Sequence, residues 1–267
     1  QIKSEGEVQA YYDLVIGERK TYLAVRAGKV ARNNGYEVPQ VIYPPYRVPD
    51  RAARYVEEPL ILGLSRQESE FNPRAFSRAR ARGLMQLLSS TAQITARKEG
   101  IPYNTARLMD DPNYNLLLGA AHLNHLLDRF NGSYIMVLGA YNAGPHRVDQ
   151  WIETYGDPRS PQVDPIDWVE LVPFSETRNY IMRVLENTQV YRSRLEGQPL
   201  GAGIMADLTR GGGSREAIGI SPPFPRLMMQ VSLADPEPTF GVNALNIPSR
   251  KTAAQEVFEG LKQMPLH

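Results

Sequence analysis

Apolar positions between residues 50 and 195 recur at intervals of three and four, which is the period of an amphipathic helix. Two of these stretches begin with aspartate followed by proline, a pair that caps a helix and presets its first turn. Convincing two-residue alternation is absent here, so the pattern predicts an almost entirely α-helical domain. Asp50 and Ser90 are the expected caps of two further helices. The predicted helices run from Asp50 to about Glu70, from Ser90 to Gly100, from Pro112 to about Phe130, from Tyr134 to Ala143, from Pro145 through Ile152, from Pro165, and from Ser175 to about Leu195.

The segments on either side of this region have a different character. Residues 1–35 also show helical spacing, with Gly35 as the expected stop, and the four prolines between residues 38 and 49 predict a non-helical linker. After residue 196, glycine and proline accumulate and the apolar stretches become short. We therefore predict three parts: a short helical linker region over 1–49, a main helical domain over 50–196, and a flexible or irregular C-terminal segment over 197–267.

The bulk composition excludes several classes of protein. The 267 residues are 42% hydrophobic, which is enough for one sizeable core, and 30 basic against 29 acidic residues give a formal net charge of only +1. This balance produces no strong field for nucleic acid, so no nucleic-acid partner is expected. No apolar run approaches the roughly 20 residues of a membrane-spanning helix, so an integral membrane protein is not expected either. Because the chain has no cysteine, disulfides and thiolate metal sites are excluded.

Histidine offers a weak hint of a metal site. His122 and His125 lie three residues apart on a predicted helix, but aspartate or glutamate partners at ligand spacing are not evident. We interpret both histidines as partly exposed helix residues, and we expect no metal and no other cofactor.

One acidic side chain stands out by its position at the end of a predicted helix. Glu68 follows Leu60 and Leu64 on one helical face and lies just before a turn that contains a proline. Apolar surroundings and the negative end of the helix dipole both disfavour a charged carboxylate. A glutamic acid that stays protonated near neutral pH can donate its proton to a leaving oxygen. Taken alone, an exposed surface glutamate is the ordinary interpretation of this residue.

Three further motifs carry polar side chains at predicted breaks between helices. Each has an ordinary structural interpretation when taken alone: a helix start, a corner between two helices, and a helix N-terminus capped by serine. The first two also have a functional one, because the amide of Gln86 suits the hydroxyl and N-acetyl groups of sugars and Tyr141 can stack on a ligand or donate its hydroxyl. The motifs are Gly83-Leu84-Met85-Gln86-Leu87, Ala140-Tyr141-Asn142-Ala143-Gly144-Pro145, and Pro173-Phe174-Ser175-Glu176-Thr177-Arg178-Asn179-Tyr180.

These motifs are most informative as a series. In the order Glu-Ser, Gly-Leu-Met-Gln, Ala-Tyr-Asn-Ala-Gly and Pro-Phe-Ser-Glu-Thr-Arg-Asn-Tyr, the chain resembles the soluble lytic transglycosylases of Gram-negative bacteria. The resemblance is strong over residues 50–195, weaker over 1–49, and does not cover 211–267. In that family a large ring-shaped helical domain often lies upstream, so a longer native protein is expected.

The resemblance implies a fold, a reaction and a set of residues. The fold is an all-α, lysozyme-like catalytic domain of the goose type with a long cleft. The reaction is cleavage of the β-1,4 bond between N-acetylmuramic acid and N-acetylglucosamine in peptidoglycan, with formation of 1,6-anhydro-N-acetylmuramic acid ends. Glu68 would be the single catalytic acid and base. The residues expected to bind or orient the glycan are Ser77, Gln86, Tyr141, Asn142, Glu176 and Tyr180.

The same resemblance implies a location and partners. Peptidoglycan glycan strands are the expected partner, and the periplasm is the expected location, with association with the outer membrane as a further option. The C-terminal segment is the expected site of contacts with other cell-wall machinery.

Two alternative functions stay open at this point. A hydrolytic muramidase would share the fold and the substrate, but it would need a second carboxylate to activate water, and Glu70 and Glu176 are the obvious nearby residues. A non-catalytic wall-binding or scaffolding module would keep the cleft without using Glu68.

Two departures from the family pattern affect the expected rim of the cleft. Arg80 lies where the family usually has glycine, within a run in which arginine alternates with alanine from Arg78 to Arg82. If this position requires a positive φ, an arginine there is strained. The pair Leu88-Ser89 replaces the usual Met-Pro. Both changes concern the shape of the cleft more than its chemistry.

Overall fold

The described part of the chain is built from helices. A computed structural model describes residues 4–212, and residues 1–3 and 213–267 lie outside the described part. Within it, two isolated β-bridges occur and no β-strand, which confirms the predicted all-α class. The helices are α1 (Glu5–Gly17), α2 (Thr21–Asn33), α3 (Pro39–Ile42), α4 (Asp50–Ala53), α5 (Glu58–Ser69), α6 (Ser89–Lys98), α7 (Arg107–Asp110), α8 (Pro112–Arg129), α9 (Tyr134–Ala143), α10 (Pro145–Tyr155), α11 (Pro165–Leu171), α12 (Ser175–Glu196) and α13 (Ile204–Thr209).

The helix that carries Glu68, α5, packs closely against the long helix α12. Gly63 on α5 lies so near α12 that a Cβ atom at this position would stand 2.7 Å from Thr188 Oγ1 and 2.9 Å from the Thr188 backbone nitrogen. Glycine therefore allows the two backbones to approach. Leu60 of α5 and Val184 of α12 belong to the same buried core, so this contact fixes the end of α5 against α12.

Two predicted helix starts are confirmed by capping hydrogen bonds. At the start of α8, the Asp111 side chain accepts a hydrogen bond from the backbone nitrogen of Tyr114 over 3.1 Å. At the start of α11, the Asp164 side chain accepts one from the backbone nitrogen of Ile166 over 2.8 Å. In both helices a proline follows in the first turn, where its missing N–H removes no helical hydrogen bond.

Three other predicted starts are wrong in detail. The helix expected from Asp50 to Glu70 is two helices, α4 and α5, because Pro59 cannot occupy a helix interior and lies in the first turn of α5. Asp50 is the first residue of α4 and makes no capping hydrogen bond. Neither α6 nor α12 has a side-chain cap, so the predicted capping by Ser90 and Ser175 is wrong.

The N-terminal region is helical, but it is not one helix. The break between α1 and α2 contains Arg19, which has a φ of 58°. The segment predicted to be a non-helical linker contains the short α3, where Pro39 takes the first position, which tolerates proline. Beyond α3, Tyr43 and Tyr46 pack against the main core, so this region is attached to the domain that follows it.

The helix α13 lies in the segment predicted to be flexible or irregular. Its Asp207 is buried and accepts hydrogen bonds from Arg192 and Gln189 of α12. The irregular assignment is therefore wrong for residues 204–209, because a buried ion pair holds a short helix that its glycine-rich surroundings do not predict. The predictions for residues 213–267 lie outside the described residues. None of the described helices combines the length and apolar character needed to cross a membrane.

Candidate active site

Glu68 lies in the last turn of α5, where the chain leaves the helix through a left-handed turn. Glu70 caps the helix with a φ of 54°, and Phe71 follows with a φ of 64°. The hydroxyl of Tyr180 on α12 donates a hydrogen bond to Glu68 Oε1 over 2.6 Å. These two residues are 112 positions apart in the sequence, so the packing of α5 against α12 creates their contact.

The environment of Glu68 favours the protonated carboxyl. Burial is the main cause that raises the pKa of Glu68 to about 7. The hydrogen bond from Tyr180 acts in the opposite direction, and the negative charge of Glu176 adds to the increase of this pKa. None of the ion pairs in the described part of the chain involves Glu68. A large fraction of Glu68 is therefore protonated at neutral pH, as a general acid requires.

Two tyrosines share this environment. Burial and the nearby charge of Glu68 raise the pKa of both Tyr141 and Tyr180 well above 10.0, so both hydroxyls keep their protons and act as donors. Tyr180 donates to Glu68, whereas Tyr141 donates to the backbone oxygen of Met85 over 2.7 Å. The ring centroid of Tyr141 also lies 5.4 Å from that of His122. The fold thus brings together three of the predicted site residues.

The loop over residues 75–88, called the rim loop below, is fastened to α5 and α8. Ser69 of α5 donates from Oγ to the backbone oxygen of Leu84 over 2.7 Å. Asn115 of α8 is completely buried, and its Oδ1 accepts a hydrogen bond from the Met85 nitrogen over 2.8 Å. Asn115 is absent from the predicted site, although an amide among the apolar residues of α8 is a signal that could have revealed it.

Gln86 and Ser77 make hydrogen bonds within the rim loop. Gln86 has a φ of 45°, and its Nε2 donates to the backbone oxygens of Ala75 over 3.1 Å and Gly83 over 2.9 Å. Its Oε1 makes no hydrogen bond to any residue that the structure describes, so it is available to a ligand. The Oγ of Ser77 accepts a hydrogen bond from the Ala81 nitrogen over 3.0 Å and thereby holds one turn of the loop.

The remaining two predicted residues lie where α9 ends and α12 begins. Asn142 Oδ1 accepts a hydrogen bond from Thr177 Oγ1 over 2.7 Å, which orients the amide. Glu176 is exposed in the first turn of α12 and acts on Glu68 through its charge. The structure therefore places Glu176 near Glu68, and it attaches Asn142 to the residue that follows Glu176.

Glu70, considered above as a second carboxylate for activating water, is held by the N-terminal region. Lys29 of α2 forms an ion pair with one of its carboxylate oxygens, and Arg26 of α2 lies 3.5 Å from the other. Both oxygens of Glu70 are thus engaged by cations. Of the two candidates for a second carboxylate, Glu176 is therefore the one whose charge acts on Glu68.

Two regions of the chain match known protein families. Residues 50–162 match the family described as Transglycosylase SLT domain, and residues 171–199 match the family described as Soluble lytic transglycosylase helical domain. The first match contains Glu68, the rim loop and Tyr141, and the second contains Glu176 and Tyr180.

Curated relatives with similar sequences carry related names. The chain is 40% identical over 130 residues to a putative soluble lytic murein transglycosylase of Haemophilus influenzae, covering 49% of this chain and 21% of the relative. It is 33% identical over 149 residues to the soluble lytic murein transglycosylase of Escherichia coli K12, covering 55% of this chain and 22% of the relative. It is 31% identical over 160 residues to a membrane-bound lytic murein transglycosylase C of Haemophilus influenzae, covering 54% of this chain and 45% of the relative. The chain therefore spans less than half the length of each of these relatives.

Solved structures with the same fold include two transglycosylases. An inactive glutamate-to-glutamine mutant of the lytic transglycosylase Slt from Pseudomonas aeruginosa aligns with a TM-score of 0.61 and 32% identity, covering 73% of this chain and 31% of that one. The 70 kDa soluble lytic transglycosylase of Escherichia coli aligns with a TM-score of 0.64 and 28% identity, covering 81% of this chain and 33% of that one. These likenesses confirm the predicted all-α, lysozyme-like fold.

Proposed function

Because this chain belongs to the lytic transglycosylase family, we propose that it cleaves the glycan strands of peptidoglycan with Glu68 as its single catalytic acid and base. Its relatives are named murein transglycosylases, and one similar structure is an inactive mutant in which glutamine replaces a glutamate. The observation that carries the proposal is a half-buried carboxyl with a pKa of about 7 that accepts a hydrogen bond from a tyrosine hydroxyl.

In the first step, Glu68 donates its proton to the oxygen that joins N-acetylmuramic acid to N-acetylglucosamine. The bond between this oxygen and the anomeric carbon of the muramic acid breaks, and the leaving sugar departs with a hydroxyl group. The acetamido group of the substrate can assist at the anomeric carbon. Glu68 is left as a carboxylate, which the Tyr180 hydroxyl stabilises by its hydrogen bond.

In the second step, Glu68 acts as a base. It takes the proton from the C6 hydroxyl of the same muramic acid, and that oxygen attacks the anomeric carbon. A nucleophile tethered within the same sugar has a large effective molarity, so it can compete with water. The product then carries a 1,6-anhydro-N-acetylmuramic acid end, and Glu68 is protonated again.

Three of the predicted side chains would bind the glycan in this proposal. The Oε1 of Gln86 would accept hydrogen bonds from sugar hydroxyls, and the amide nitrogen of Asn142 would donate to sugar oxygens. Tyr141 would contribute one wall of the sugar site, because its ring and hydroxyl are fixed beside Glu68.

The other three predicted residues would act on Glu68 or on the rim loop. Tyr180 holds the Glu68 carboxyl by a hydrogen bond, and Glu176 helps to keep it protonated by raising its pKa. Ser77 would keep the shape of the rim loop through its hydrogen bond to the loop backbone.

The competing proposal is a hydrolytic muramidase. It would need a carboxylate that activates water, and Glu176 is the residue that acts on Glu68 by its charge. Glu70 is unsuited to this role because both of its oxygens are engaged by cations from α2. Both reactions would begin with proton transfer from Glu68, so their products distinguish them.

Mass spectrometry of the products released from purified sacculi tests the reaction. We expect 1,6-anhydro-N-acetylmuramic acid ends from the unchanged protein and no release by Glu68→Gln. Glu153→Gln is the matched control, because Glu153 is an exposed glutamate on α10. Reducing N-acetylmuramic acid ends would establish the muramidase instead, and cleavage by Glu68→Gln at the unchanged rate would remove Glu68 from the mechanism.

A periplasmic location is part of the proposal. The names of soluble and membrane-bound murein transglycosylases among its relatives, together with a peptidoglycan substrate, support a place in the cell envelope. Fractionation of cells that express the protein tests this location and its association with the outer membrane.

We also propose the division into a linker region over 1–49, a catalytic domain over 50–196 and a C-terminal segment over 197–267. In this proposal α13 connects the C-terminal segment to the catalytic domain, because Asp207 pairs with Arg192. Contacts with other cell-wall proteins are proposed for the same segment, and capture of partners by the chain with and without residues 213–267 tests them.

A further inference from the structure

Three arginines of the rim loop form no ion pair with a carboxylate of the described residues. Arg78, Arg80 and Arg82 alternate with alanine, and the loop contains no acidic residue. None of the three forms an ion pair within residues 4–212, whereas Arg74, just before the loop, pairs with Asp110 over 3.2 Å. Three charges without an ion-pair partner among the described residues therefore lie in one loop of a chain whose formal net charge is only +1.

Arg80 has a backbone conformation that is unfavourable for an arginine. Its φ is 67°, in the left-handed region, where glycine would be free of strain. Hydrogen bonds fix the turn, because the Arg80 nitrogen donates to the Ser77 oxygen over 2.9 Å and the Ser77 nitrogen donates to the Ala81 oxygen over 3.1 Å. A strained and exposed cation at the edge of a site points to a use of its side chain outside the fold.

Arg82 differs from the other two because it takes part in the structure of the loop. Its Nη1 donates to the Arg80 oxygen over 2.9 Å and to Ser89 Oγ over 2.6 Å, and its guanidinium lies 5.2 Å from the ring centroid of Phe76. Arg78 and Arg80 are exposed, and their side chains make no hydrogen bond to the residues that the structure describes. These two arginines are therefore the ones available to a ligand.

The rim loop, which carries these cations, is fastened to residues of the proposed cleavage site. Ser69, the neighbour of Glu68, holds Leu84 of the loop, and Tyr141 holds Met85. The same loop carries Gln86, which is proposed above to bind the glycan. The two arginines thus belong to a loop that is fastened to the site that would receive a glycan strand.

We propose that Arg78 and Arg80 form a binding site for the carboxylates of the peptides attached to the glycan strand. This inference rests on the proposed function, because peptidoglycan carries acidic peptides along its glycan. Guanidinium groups suit this ligand since they can donate two parallel hydrogen bonds to one carboxylate. Because both arginines are exposed, the attraction is screened by salt and contributes specificity more than strong affinity.

A binding assay with two substrates tests the site. Peptide-bearing strands from sacculi are compared with the same strands after an amidase has removed their peptides, and binding is measured in the Glu68→Gln background so that no cleavage occurs. We expect Arg78→Gln with Arg80→Gln to weaken binding of peptide-bearing strands about 3- to 10-fold at low salt, and less at high salt. Binding of bare strands should stay within about twofold.

Two controls separate this effect from folding and from general charge. Arg54→Gln with Arg97→Gln removes two exposed arginines outside the rim loop and should leave binding of both substrates unchanged. Arg80→Gly alone removes one guanidinium, so it should weaken binding of peptide-bearing strands. Because it also relieves the strained turn, the melting temperature should stay equal or rise.

Three results would overturn the arginine site: an equal loss on bare strands, the same loss in the control pair, or a loss that does not change with salt. The proposed function fails in a different way. If the unchanged protein binds both substrates and cleaves neither, the catalytic proposal is wrong, whereas preferential, salt-dependent binding of peptide-bearing strands still supports the site.

Discussion

Two regions of this molecule hold carboxyl groups in opposite environments. At the end of α5, Glu68 accepts a hydrogen bond from Tyr180 and takes part in none of the ion pairs between described residues, and burial raises its pKa to about 7. Where α12 meets α13, Asp207 is 3% exposed and Arg192 is 7% exposed, and Arg192 Nη1 lies 2.9 Å from Asp207 Oδ2. In the first region burial leaves the carboxyl able to hold a proton, whereas in the second a cation pairs with the carboxylate.

The charge of the partner, together with burial, decides what each carboxyl can do. Arg192 also pairs with Glu57 over 2.7 Å, and the hydroxyl of Tyr134 donates to the same oxygen of Glu57. A carboxylate bound in such a network helps to order the fold, and removing one member leaves a buried charge without a partner. A buried carboxyl bonded only to a hydroxyl contributes less to stability but can give and take a proton.

The largest expected effect is the loss of turnover in Glu68→Gln. The amide keeps the size of the side chain but cannot transfer a proton, and the same group serves both proposed steps. We therefore expect the rate of muropeptide release from sacculi to fall by about 10⁴-fold, the upper end for one general acid, with glycan binding retained. Glu153→Gln should keep the unchanged rate. Retention of more than a few per cent of turnover by Glu68→Gln would show that this carboxyl is not the acid.

Substitutions in the region of Arg192 and Asp207 should change the stability of the protein rather than its chemistry. Arg192→Met leaves Asp207 buried without its cation, so we expect the free energy of unfolding to fall by about 3–5 kcal/mol in chemical denaturation. The double variant with Asp207→Leu should recover part of this loss, because no buried charge then remains on α13. Both variants should cleave normally at temperatures where they are folded. A loss below about 1 kcal/mol in Arg192→Met would mean that the network is no more stabilising than a surface pair.

A pH series distinguishes the two regions with a smaller effect. The pKa of Glu68 is raised from 4.5 to about 7, so the folded state binds more protons than the unfolded state between these values. Stability from this group therefore falls as pH rises through that interval. Glu68→Gln cannot ionise, so it should be more stable than the unchanged protein above about pH 7, by up to about 3 kcal/mol, with this advantage lost near pH 4.

Thermal unfolding of the unchanged protein and of Glu68→Gln, between about pH 4 and above pH 7, measures this difference in stability. An advantage of Glu68→Gln that does not grow with pH would contradict the raised pKa. The unchanged protein should also lose activity as pH rises through about 7, because kcat/KM follows the fraction of protonated acid.

The two regions also differ in how far the sequence predicts them. The position of Glu68 at the end of an apolar helical stripe is a local signal, and burial of its carboxyl follows from it. Its contact with Tyr180 joins positions 112 apart, so no local pattern contains it. The pair of Arg192 and Glu57 joins positions 135 apart. Arg192 in α12 and Glu57 just before α5 both look like ordinary solvated charges in the sequence. Ion networks of this kind depend on how distant helices pack, so the spacing of residues along the chain does not predict them.

The same reasoning separates the correct helix predictions from the wrong ones. The starts at Asp111 and Asp164 are correct because the capping side chain and the following proline lie within one turn of each other. The split between α4 and α5 was predictable from Pro59, but the apolar spacing on either side of it suggested one helix. The helix α13 has only 6 residues and depends on the ion pair of Asp207, so propensity could not reveal it.

Glu70 lies between the two cases and should give the smallest effect. It is two residues from Glu68 and has cationic partners in Lys29 and Arg26, but its side chain is 25% exposed. Partly exposed ion pairs contribute about 0–1 kcal/mol, so Glu70→Gln should lower the free energy of unfolding by less than about 1 kcal/mol and leave turnover within about threefold.

Comparison of Glu70→Gln with Glu176→Gln decides whether either carboxylate belongs to the chemistry. Loss of the Glu176 charge should lower the pKa of Glu68, so the alkaline limb of activity should move to lower pH while anhydro ends are still formed. Glu70→Gln should leave that limb in place, because its carboxylate is engaged by cations from α2. If Glu70→Gln lost as much turnover as Glu68→Gln, the ion pair with Lys29 would not describe its role. Glu70 would then join Glu68 in the mechanism, and the contrast between proton-holding and cation-paired carboxylates would no longer separate catalysis from stability.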